Sequence, residues 1–314
     1  MKNNFSSLHT HTVFCDGKDN VETMCRTAFE KGLSAIGFSA HAPVCMTGLE
    51  SNWHMKSERM GEYIEEVNAA KKRWQGMLSV YLGLEVDYIK GLRSALDSDI
   101  QSLNFDCMRG VRSTPRQTPY QNKNPEGIFD YIIGSVHYLF PPRGEPFTVD
   151  SSAEELEKGI TEGYGAGGEA MMNAYWDAIA EMVALGGIDI IGHMDIVKKN
   201  NRGSRFFNTD ETYMRRAEEI VSAISGQNLA VEVNTGMLNR GHFAEPCPSP
   251  EILRLLLKHN VQVIITSDAH KACDLDGNYE TARQTLLDAG FTSHALYDGK
   301  INGKPVWRPA GLFS

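Results

Sequence analysis

Two histidines separated by one threonine stand near the start of the chain, in the segment SLHTHTVFCDG. His9 and His11 are followed shortly by Asp16. Residues two apart in an extended segment share a face, so both imidazoles can reach one metal ion. Such a pair also arises by chance in a chain with ten histidines, so it indicates a metal site only if other residues support it.

The elements that would position these residues are strands alternating with helices. Seven short, nearly continuous apolar runs predict buried strands at residues 5–8, 34–40, 79–86, 130–136, 187–192, 228–234 and 261–267. Helical periodicity predicts helices at 21–31, 55–75, 169–185, 210–225, 250–260 and 279–289. Asp210 and Ser249-Pro250 are helix-start signals, and Gly32 and Gly226 are stop signals. This alternation predicts an α/β fold with a mostly parallel sheet.

Length, composition and net charge indicate which class of protein this sequence encodes. With 314 residues and 41% hydrophobic content, we expect one domain over residues 1–314. We expect a soluble, cytoplasmic protein, because no run is long enough for a membrane span and the first residues lack the apolar centre of a secretory signal. The six cysteines form no CxxC pair, which is typical of reduced structural thiols. A net charge of -9 argues against nucleic-acid binding.

Ligand-type side chains follow every predicted strand. Six of the ten histidines lie at these strand ends, together with carboxylates. In chain order the set is His9, His11, His41, Glu85, His137, His193, Glu232, Asn234, Asp268 and His270. The carboxyl ends of parallel strands form the active-site face of an α/β barrel, so we expect these side chains to converge at one rim. A single member could be an ordinary turn histidine, but the whole set predicts a metal centre.

The ligand types indicate which metal and which chemistry. Imidazoles and carboxylates without thiolates suit zinc, iron or manganese. The ligands exceed what one ion uses, so two or three ions are predicted. Glu85 is the expected bridging carboxylate, with Asp87 as the less favoured candidate. Closely spaced metals activate a shared water and clamp the oxygens of a phosphoryl transfer, which favours phosphoester hydrolysis.

Seven motifs taken in order resemble one known family. They are SLHTHTVFCDG, IGFSAHAP, YLGLEVDY, DYIIGSVHYL, DIIGHMDIVKK, VEVNTG and TSDAHK, and they extend from about residue 6 to residue 290. The set resembles the PHP (polymerase and histidinol phosphatase) superfamily, specifically its monofunctional histidinol-phosphate phosphatases. The resemblance implies a distorted (β/α)7 TIM-like barrel and hydrolysis of L-histidinol phosphate, in histidine biosynthesis, by a metal-bridging hydroxide.

The resemblance also implies a centre of three divalent transition-metal ions and assigns its ligands. His9, His11, Glu85 and Asp268 would hold the first ion. Glu85, His137 and His193 would hold the second, and Asp16, His41 and His270 the third. In this scheme Glu85 and His193 serve catalysis through the metals, and Asp268 carries a proton to the leaving alkoxide. Asp16 stands where some relatives have histidine, which leaves the number of ligands intact.

Substrate-binding residues are predicted from the loops on the same rim. Arg202, Ser204 and Arg240 are candidates for phosphate, since the arginine fork suits that anion, although either arginine could be a solvated loop charge. Glu232 could meet the substrate's ammonium or imidazole, or could be the buried partner of another side chain. The remaining histidines are expected to be structural or on the surface: His54, His242, His259 and His294.

Two further segments receive a structural interpretation. The polar stretch 107–128 is longer than a usual connection and predicts a loop insertion on the face opposite the site, with Arg112 and Arg116 outside the substrate set. An apolar stripe within 169–185 predicts a core helix face, formed by Met171, Met172, Tyr175, Trp176 and Ile179.

Two alternatives to histidinol phosphate hydrolysis remain open at the level of sequence. The first keeps the metals but takes another small phosphorylated metabolite or a nucleotide as substrate. The second is a barrel that binds metal as a structural or interaction module without catalysis. The full ligand set argues against the second alternative. The predicted partner is a small phosphate ester, without a nucleic acid or a membrane, and the sequence does not indicate an oligomeric state.

Overall fold

The centre of the fold is a sheet of seven parallel strands. The structure is a computed structural model, and it describes residues 4–44, 49, 51–90, 128–165 and 167–313. In spatial order the sheet contains β1 (Ser6–Ser7), β2 (Ala35–Phe38), β3 (Ser79–Asp87), β4 (Tyr131–Ser135), β7 (Ile190–Ile191), β8 (Ala230–Asn234) and β9 (Gln262–Thr266). Between β4 and β7, β5 (Tyr138–Leu139) and β6 (Phe147–Thr148) form a separate antiparallel pair.

The sheet curves into a nearly closed barrel. Each strand pairs in parallel with the next strand of the sheet, and an isolated parallel bridge joins Thr10, after β1, to Ala269, after β9. The strands are buried on both faces, which explains their continuous apolar sequences. The predicted seven-stranded α/β barrel is therefore confirmed.

Helices cover the outside of the barrel. They are α1 (Val21–Glu30), α2 (Met60–Arg73), α3 (Ala153–Tyr164), α4 (Gly168–Leu185), α5 (Glu211–Ile224), α6 (Gly236–Asn239), α7 (Pro250–Lys258) and α8 (Tyr279–Ala289). Short 3-10 turns occupy Ser57–Arg59, Ile196–Lys198, Arg202–Ser204 and Ala272–Asp274. The six helices predicted above are present, whereas α3 and the short α6 were not predicted.

Several predicted helix boundaries have the expected physical cause. The side chain of Asp210 accepts a hydrogen bond from Thr212 N at 3.1 Å and caps α5. Gly32 and Gly226 have φ values of 73° and 75°, which glycine adopts without a steric penalty. The helix predicted to begin at residue 55 begins at Met60 instead, after the Ser57–Arg59 turn. The predicted apolar stripe of α4 is buried throughout.

A carboxyl-terminal hairpin closes the end of the barrel away from the strand ends. It consists of β10 (Ser293–Ile301) and β11 (Lys304–Gly311), joined by Asn302 and Gly303 with φ values of 52° and 76°. Tyr297 of the hairpin belongs to a buried cluster that also contains barrel residues such as Tyr131 and Ile190. The hairpin thus supplies the apolar floor beneath the barrel interior.

Replacing Gly83 with alanine should destabilise the fold by about 3 kcal/mol, because the barrel interior has no room for a methyl group there. A Cβ on Gly83 would lie 2.5 Å from the Tyr131 ring, whose hydroxyl donates a hydrogen bond to the Leu8 carbonyl oxygen. Urea unfolding of the metal-free protein measures the change. Gly167→Ala is the matched control, since a Cβ there meets nothing within 4 Å and φ is -132°. Equal stability of the two variants would contradict tight packing at Gly83.

Three further sequence predictions concern membrane spans, the insertion at 107–128 and the number of domains. In the residues that it describes, no helix is both long and apolar enough to cross a bilayer. The insertion predicted at 107–128 lies outside the described residues up to position 127, as do Arg112 and Arg116. The single-domain prediction stays a prediction.

Candidate metal centre

The carboxyl ends of the barrel strands bring the predicted ligands to one rim. His9 and His11 follow β1, while Thr10 between them donates to Gly37 O at 2.7 Å and so points away from both imidazoles. His41 pairs with Glu85 in an isolated parallel bridge that extends the β2–β3 pairing. The other predicted ligands lie on or just beyond β4, β7 and β9 or in the turn after β1: His137, His193, Asp268, His270 and Asp16.

All nine predicted ligands fall within four groups whose ligand atoms lie within 4.8 Å of one another. The groups are His11, Asp16, His41 and His270; His9, Glu85 and His193; His9, His11 and Asp268; and His41, Glu85 and His137. The first group contains the ligands implied for the third ion and adds His11. His137 and His193 each meet Glu85 in a separate group, whereas the resemblance placed them together.

Glu85 lies at the middle of these groups. Its Oε2 atom is 2.9 Å from His41 Nδ1 and 3.1 Å from His9 Nε2. Its Oε1 atom is 3.0 Å from His193 Nε2 and accepts a hydrogen bond from Ser135 Oγ at 2.6 Å. The side chain is almost completely buried. A carboxylate that faces imidazoles from several strands has the placement required of a bridging ligand.

The donor atoms fit a metal centre because several of them are buried and close together, yet make no hydrogen bond of suitable geometry. In the described part of the chain these atoms include His9 Nε2, His11 Nε2, Asp16 Oδ1, His41 Nδ1, Glu85 Oε2 and His193 Nδ1. Unpaired buried polar atoms are costly, and native proteins pair nearly all of them. Divalent metal ions satisfy imidazole nitrogens and carboxylate oxygens in this arrangement. The site therefore has the composition and geometry of a divalent metal centre.

Hydrogen bonds behind the ligands fix where the imidazole protons lie. His9 Nδ1 is 2.8 Å from Glu232 Oε2, and His137 Nδ1 is 2.6 Å from Asp87 Oδ1. A carboxylate only accepts, so both Nδ1 atoms donate. When neutral, each of these two imidazoles therefore presents a free Nε2 lone pair to the centre, as metal-bound histidines do.

Charge and burial shift the pKa values of two histidines of the centre, His11 and His137, in opposite directions. Burial lowers the pKa of His11, and the adjacent imidazoles of His270 and His41 lower it further, to about 3. Burial also acts to lower the pKa of His137, but the carboxylates of Asp87, Glu85 and Asp150 together outweigh it and raise that pKa to about 10. For Glu85, burial acts to raise the pKa, but His9 and His41 hold it well below its usual range. The centre therefore keeps its carboxylate ionised, as metal binding requires.

Of the residues predicted to bind phosphate, Arg240 contacts the metal centre. Its guanidinium donates to Asp268 Oδ2 at 2.9 Å and to Asp268 O at 3.2 Å. It is also about one-third exposed, so an anion can reach it. Gly236 permits this approach, because a Cβ there would lie 2.8 Å from Asp268 and 3.0 Å from the Arg240 guanidinium.

The other predicted substrate-binding residues make no contact with Asp268 comparable to that of Arg240: two lie in a neighbouring loop and one is buried. The Arg202 guanidinium donates to the carbonyl oxygens of Gly241 and His242, and Ser204 is exposed with φ of 56°. Both belong to the loop after β7, beside the Arg240 loop. Glu232 is fully buried, and its carboxylate oxygens engage His9, Asn234 and Thr266. This placement favours the buried-partner interpretation that the sequence left open for Glu232.

Sequence reasoning missed the residues behind His137. Asp87 was considered as a metal bridge, and His54 was expected to be structural. The structure places the Asp87 carboxylate between the two imidazoles, with His54 Nε2 at 2.9 Å from Oδ2. Alternation along β3 carried a signal for Asp87, because it shares a face with Glu85. No periodic pattern marks His54, which lies in a loop.

A comparison with family models decides the classification of this chain. The model of the PHP domain matches residues 7–236. The chain belongs to the PHP domain family. Two relatives match over most of their length. A probable histidinol-phosphatase of Deinococcus radiodurans is 26% identical over 90% of this chain and 92% of the relative. The histidinol-phosphatase of Bacillus subtilis is 25% identical over 87% of this chain and 96% of the relative.

A solved structure supports the same fold. The histidinol phosphate phosphatase of Lactococcus lactis, crystallised with zinc, L-histidinol and phosphate, superposes with a TM-score of 0.65 at 17% identity. The match covers 96% of this chain and 99% of the other. At this identity the likeness shows that the two proteins share a fold.

Proposed function

We propose that the protein is a metal-dependent phosphomonoesterase that hydrolyses L-histidinol phosphate to L-histidinol and phosphate. The observation that carries this proposal is the convergence of nine histidine and carboxylate ligands at one rim of a PHP barrel, with Arg240 beside them. Relatives that match nearly the full chain and are named histidinol-phosphatases support the choice of substrate. The solved relative with zinc, L-histidinol and phosphate supports it in the same way.

The proposed cofactor is a set of three divalent transition-metal ions, of zinc, iron or manganese. His9, His11 and Asp268 form one ligand group, and Asp16, His41 and His270 lie in another. Glu85 would join these groups, because its Oε1 atom faces His137 and His193 and its Oε2 atom faces His9 and His41. Bound ions would supply charge neutralisation for the phosphate group and activation of a water molecule.

The chain's own side chains contribute binding and proton transfer. The forked Arg240 guanidinium can donate two parallel hydrogen bonds to phosphate oxygens, as arginine does at many phosphate sites. It lies against Asp268, whose pKa stays well below its usual range because Arg240 and His9 outweigh the effect of burial. An ionised Asp268 can accept a proton from the attacking water and deliver it to the leaving alkoxide oxygen. Arg202 and Ser204 would form the outer edge of the substrate site.

A phosphate-release assay on the purified, metal-supplemented protein tests the substrate. We expect turnover of L-histidinol phosphate to exceed that of nucleoside monophosphates, sugar phosphates and aryl phosphates by a large factor in kcat/KM. Turnover no faster than that of generic phosphomonoesters would refute the substrate assignment. A preference for another member of the panel would identify a different small phosphate ester as the substrate.

Elemental analysis of the same preparation tests the metal content. Three divalent ions per chain are expected after expression with ample metal. Fewer than two ions per chain would refute a multinuclear centre. Metal binding at full occupancy without any phosphatase activity would instead support the non-catalytic alternative.

A further inference from the structure

A hydrogen-bonded chain connects the metal centre to His54 and Ser51, neither of which is a proposed ligand. It runs from His137 Nδ1 to Asp87 Oδ1 at 2.6 Å, and from Asp87 Oδ2 to His54 Nε2 at 2.9 Å. His54 Nδ1 is in turn 2.7 Å from Ser51 Oγ. We propose that Asp87 and His54 are positioning residues that orient His137 and thereby set its affinity for metal.

The direction of each hydrogen bond in this chain follows from the carboxylate. Both Asp87 oxygens are occupied, one by each imidazole, and a carboxylate can only accept. His54 therefore donates through Nε2, and a neutral His54 accepts from the Ser51 hydroxyl through Nδ1. His137 donates through Nδ1, which leaves its Nε2 atom, 3.7 Å from Glu85 Oε1, available to the metal. The arrangement excludes the imidazole tautomer that could not bind metal.

Burial makes this chain of hydrogen bonds effective. The side chains of Asp87, His137 and His54 are only 3%, 7% and 5% exposed, so water offers little competition for the Asp87 oxygens. Without His54, one oxygen of the Asp87 carboxylate would be left buried and unpaired, which is strongly unfavourable for a charged group. The carboxylate would then move to recover a partner, and His137 would lose its fixed orientation.

The loop that carries His54 is fixed to the centre at further points. Met55 N donates to His41 O at 3.1 Å, which connects the loop to a second proposed ligand. The Trp53 ring stands edge-on to His41 and His137, with centroid distances of 4.7 and 5.4 Å. The Ser51 hydroxyl accepts from the backbone of Trp53 and His54 and holds the turn. The loop therefore presents His54 to Asp87 in one defined position.

Zinc affinity of the full-length protein tests this inference, by competition with a chromophoric chelator. Asp87→Asn should weaken one zinc site by about 10- to 100-fold, the range found when partners of metal-bound histidines are removed. An amide accepts through only one atom, so it cannot pair with both imidazoles in the same way. His54→Leu should weaken the same site, whereas His54→Gln, which retains a donor, should stay within a few-fold of wild type.

Asp189→Asn is the matched control for loss of a buried carboxylate. Asp189 lies at the opposite end of the barrel, where it accepts from Ile132 N at 2.9 Å and pairs with Lys300 at 2.8 Å. The Asp189→Asn variant should leave the zinc affinity unchanged even if the substitution lowers the stability of the fold. Unchanged affinity in Asp87→Asn, or an equal loss in Asp189→Asn, would overturn the inference. An equal loss in His54→Leu and His54→Gln would overturn the role of the His54 donor.

Saturating zinc gives a second readout that separates positioning from folding. Activity of Asp87→Asn and His54→Leu should recover substantially as the zinc concentration rises, because the defect lies in occupancy of the His137 site. Activity that stays low at full occupancy would overturn a role through metal affinity. The inference rests on the proposed metal centre, and wild-type protein that binds no zinc would refute that centre rather than the hydrogen-bonded chain.

Discussion

Replacement of Glu85 by glutamine should reduce the rate of phosphate-ester hydrolysis by about 1000-fold or more, which corresponds to the several kcal/mol that metal ions contribute to such reactions. Glutamine keeps the shape of the side chain and one acceptor oxygen. It removes the negative charge that faces His9, His41 and His193 from two of the four ligand groups. Its amide nitrogen cannot bind a metal ion, and it would donate a hydrogen bond to an imidazole lone pair, such as that of His9 Nε2, that the metal requires.

The Glu85→Gln variant should also lose metal, because the carboxylate contributes to more than one ligand group. Elemental analysis and kcat measured at saturating metal separate loss of metal from loss of rate. Glu218→Gln is the control, since Glu218 lies on the surface of α5 in an exposed ion pair with Lys258. Far-UV circular dichroism should be the same for both variants. Activity of Glu85→Gln within about tenfold of wild type would show that Glu85 is no bridging ligand.

The metal ligands could be predicted because their positions depend on strand order and strand period. A parallel barrel places the carboxyl ends of all its strands at one rim, so His137 and His193 meet although they are far apart in the sequence. Alternation along β3 likewise directs Glu85 toward the barrel interior. These relations hold for any parallel barrel, and they need no knowledge of side-chain rotamers.

The grouping of the ligands could not be predicted in the same way. His11 lies in the group of Asp16, His41 and His270 as well as with Asp268, because its ring stands 4.3 Å from both the His41 and the His270 ring. Such distances depend on rotamers and on the stagger of neighbouring strands, which no short sequence pattern encodes. The sequence therefore predicts which residues lie at the rim, whereas the assignment of each ligand to one ion remains a proposal.

Some missed elements did carry local signals. Ser152 and Glu155 form a capping box at the start of α3, with Glu155 N donating to Ser152 Oγ at 3.1 Å. The Asn302-Gly303 turn of the final hairpin is the strongest short-range hairpin signal. Other features had none: the contact of His54 with Asp87 depends on how a loop folds across the barrel rim.

Replacement of Asp268 by asparagine should lower kcat by about 1000-fold, because it removes both a carboxylate of the centre and the proposed proton carrier. Asparagine is the appropriate substitution, since Asp268 has φ of 47° and aspartate and asparagine tolerate this left-handed conformation better than most residues. Alanine would add backbone strain to the chemical change. The amide can still accept a hydrogen bond from Arg240, so the local fold should persist.

The relative losses of metal content and of kcat distinguish the role of Asp268 from that of Glu85. Asp268 belongs to one ligand group and Glu85 to two, so Asp268→Asn should retain more metal than Glu85→Gln while its kcat falls as far. Arg240→Lys should instead raise KM with a smaller effect on kcat, because lysine keeps the charge but loses the forked hydrogen bonds to phosphate. Measuring kcat, KM and metal content in all three variants decides between the roles. A normal kcat in Asp268→Asn with full metal content would assign proton transfer to another group. An unchanged KM in Arg240→Lys would exclude phosphate binding through the forked guanidinium of Arg240.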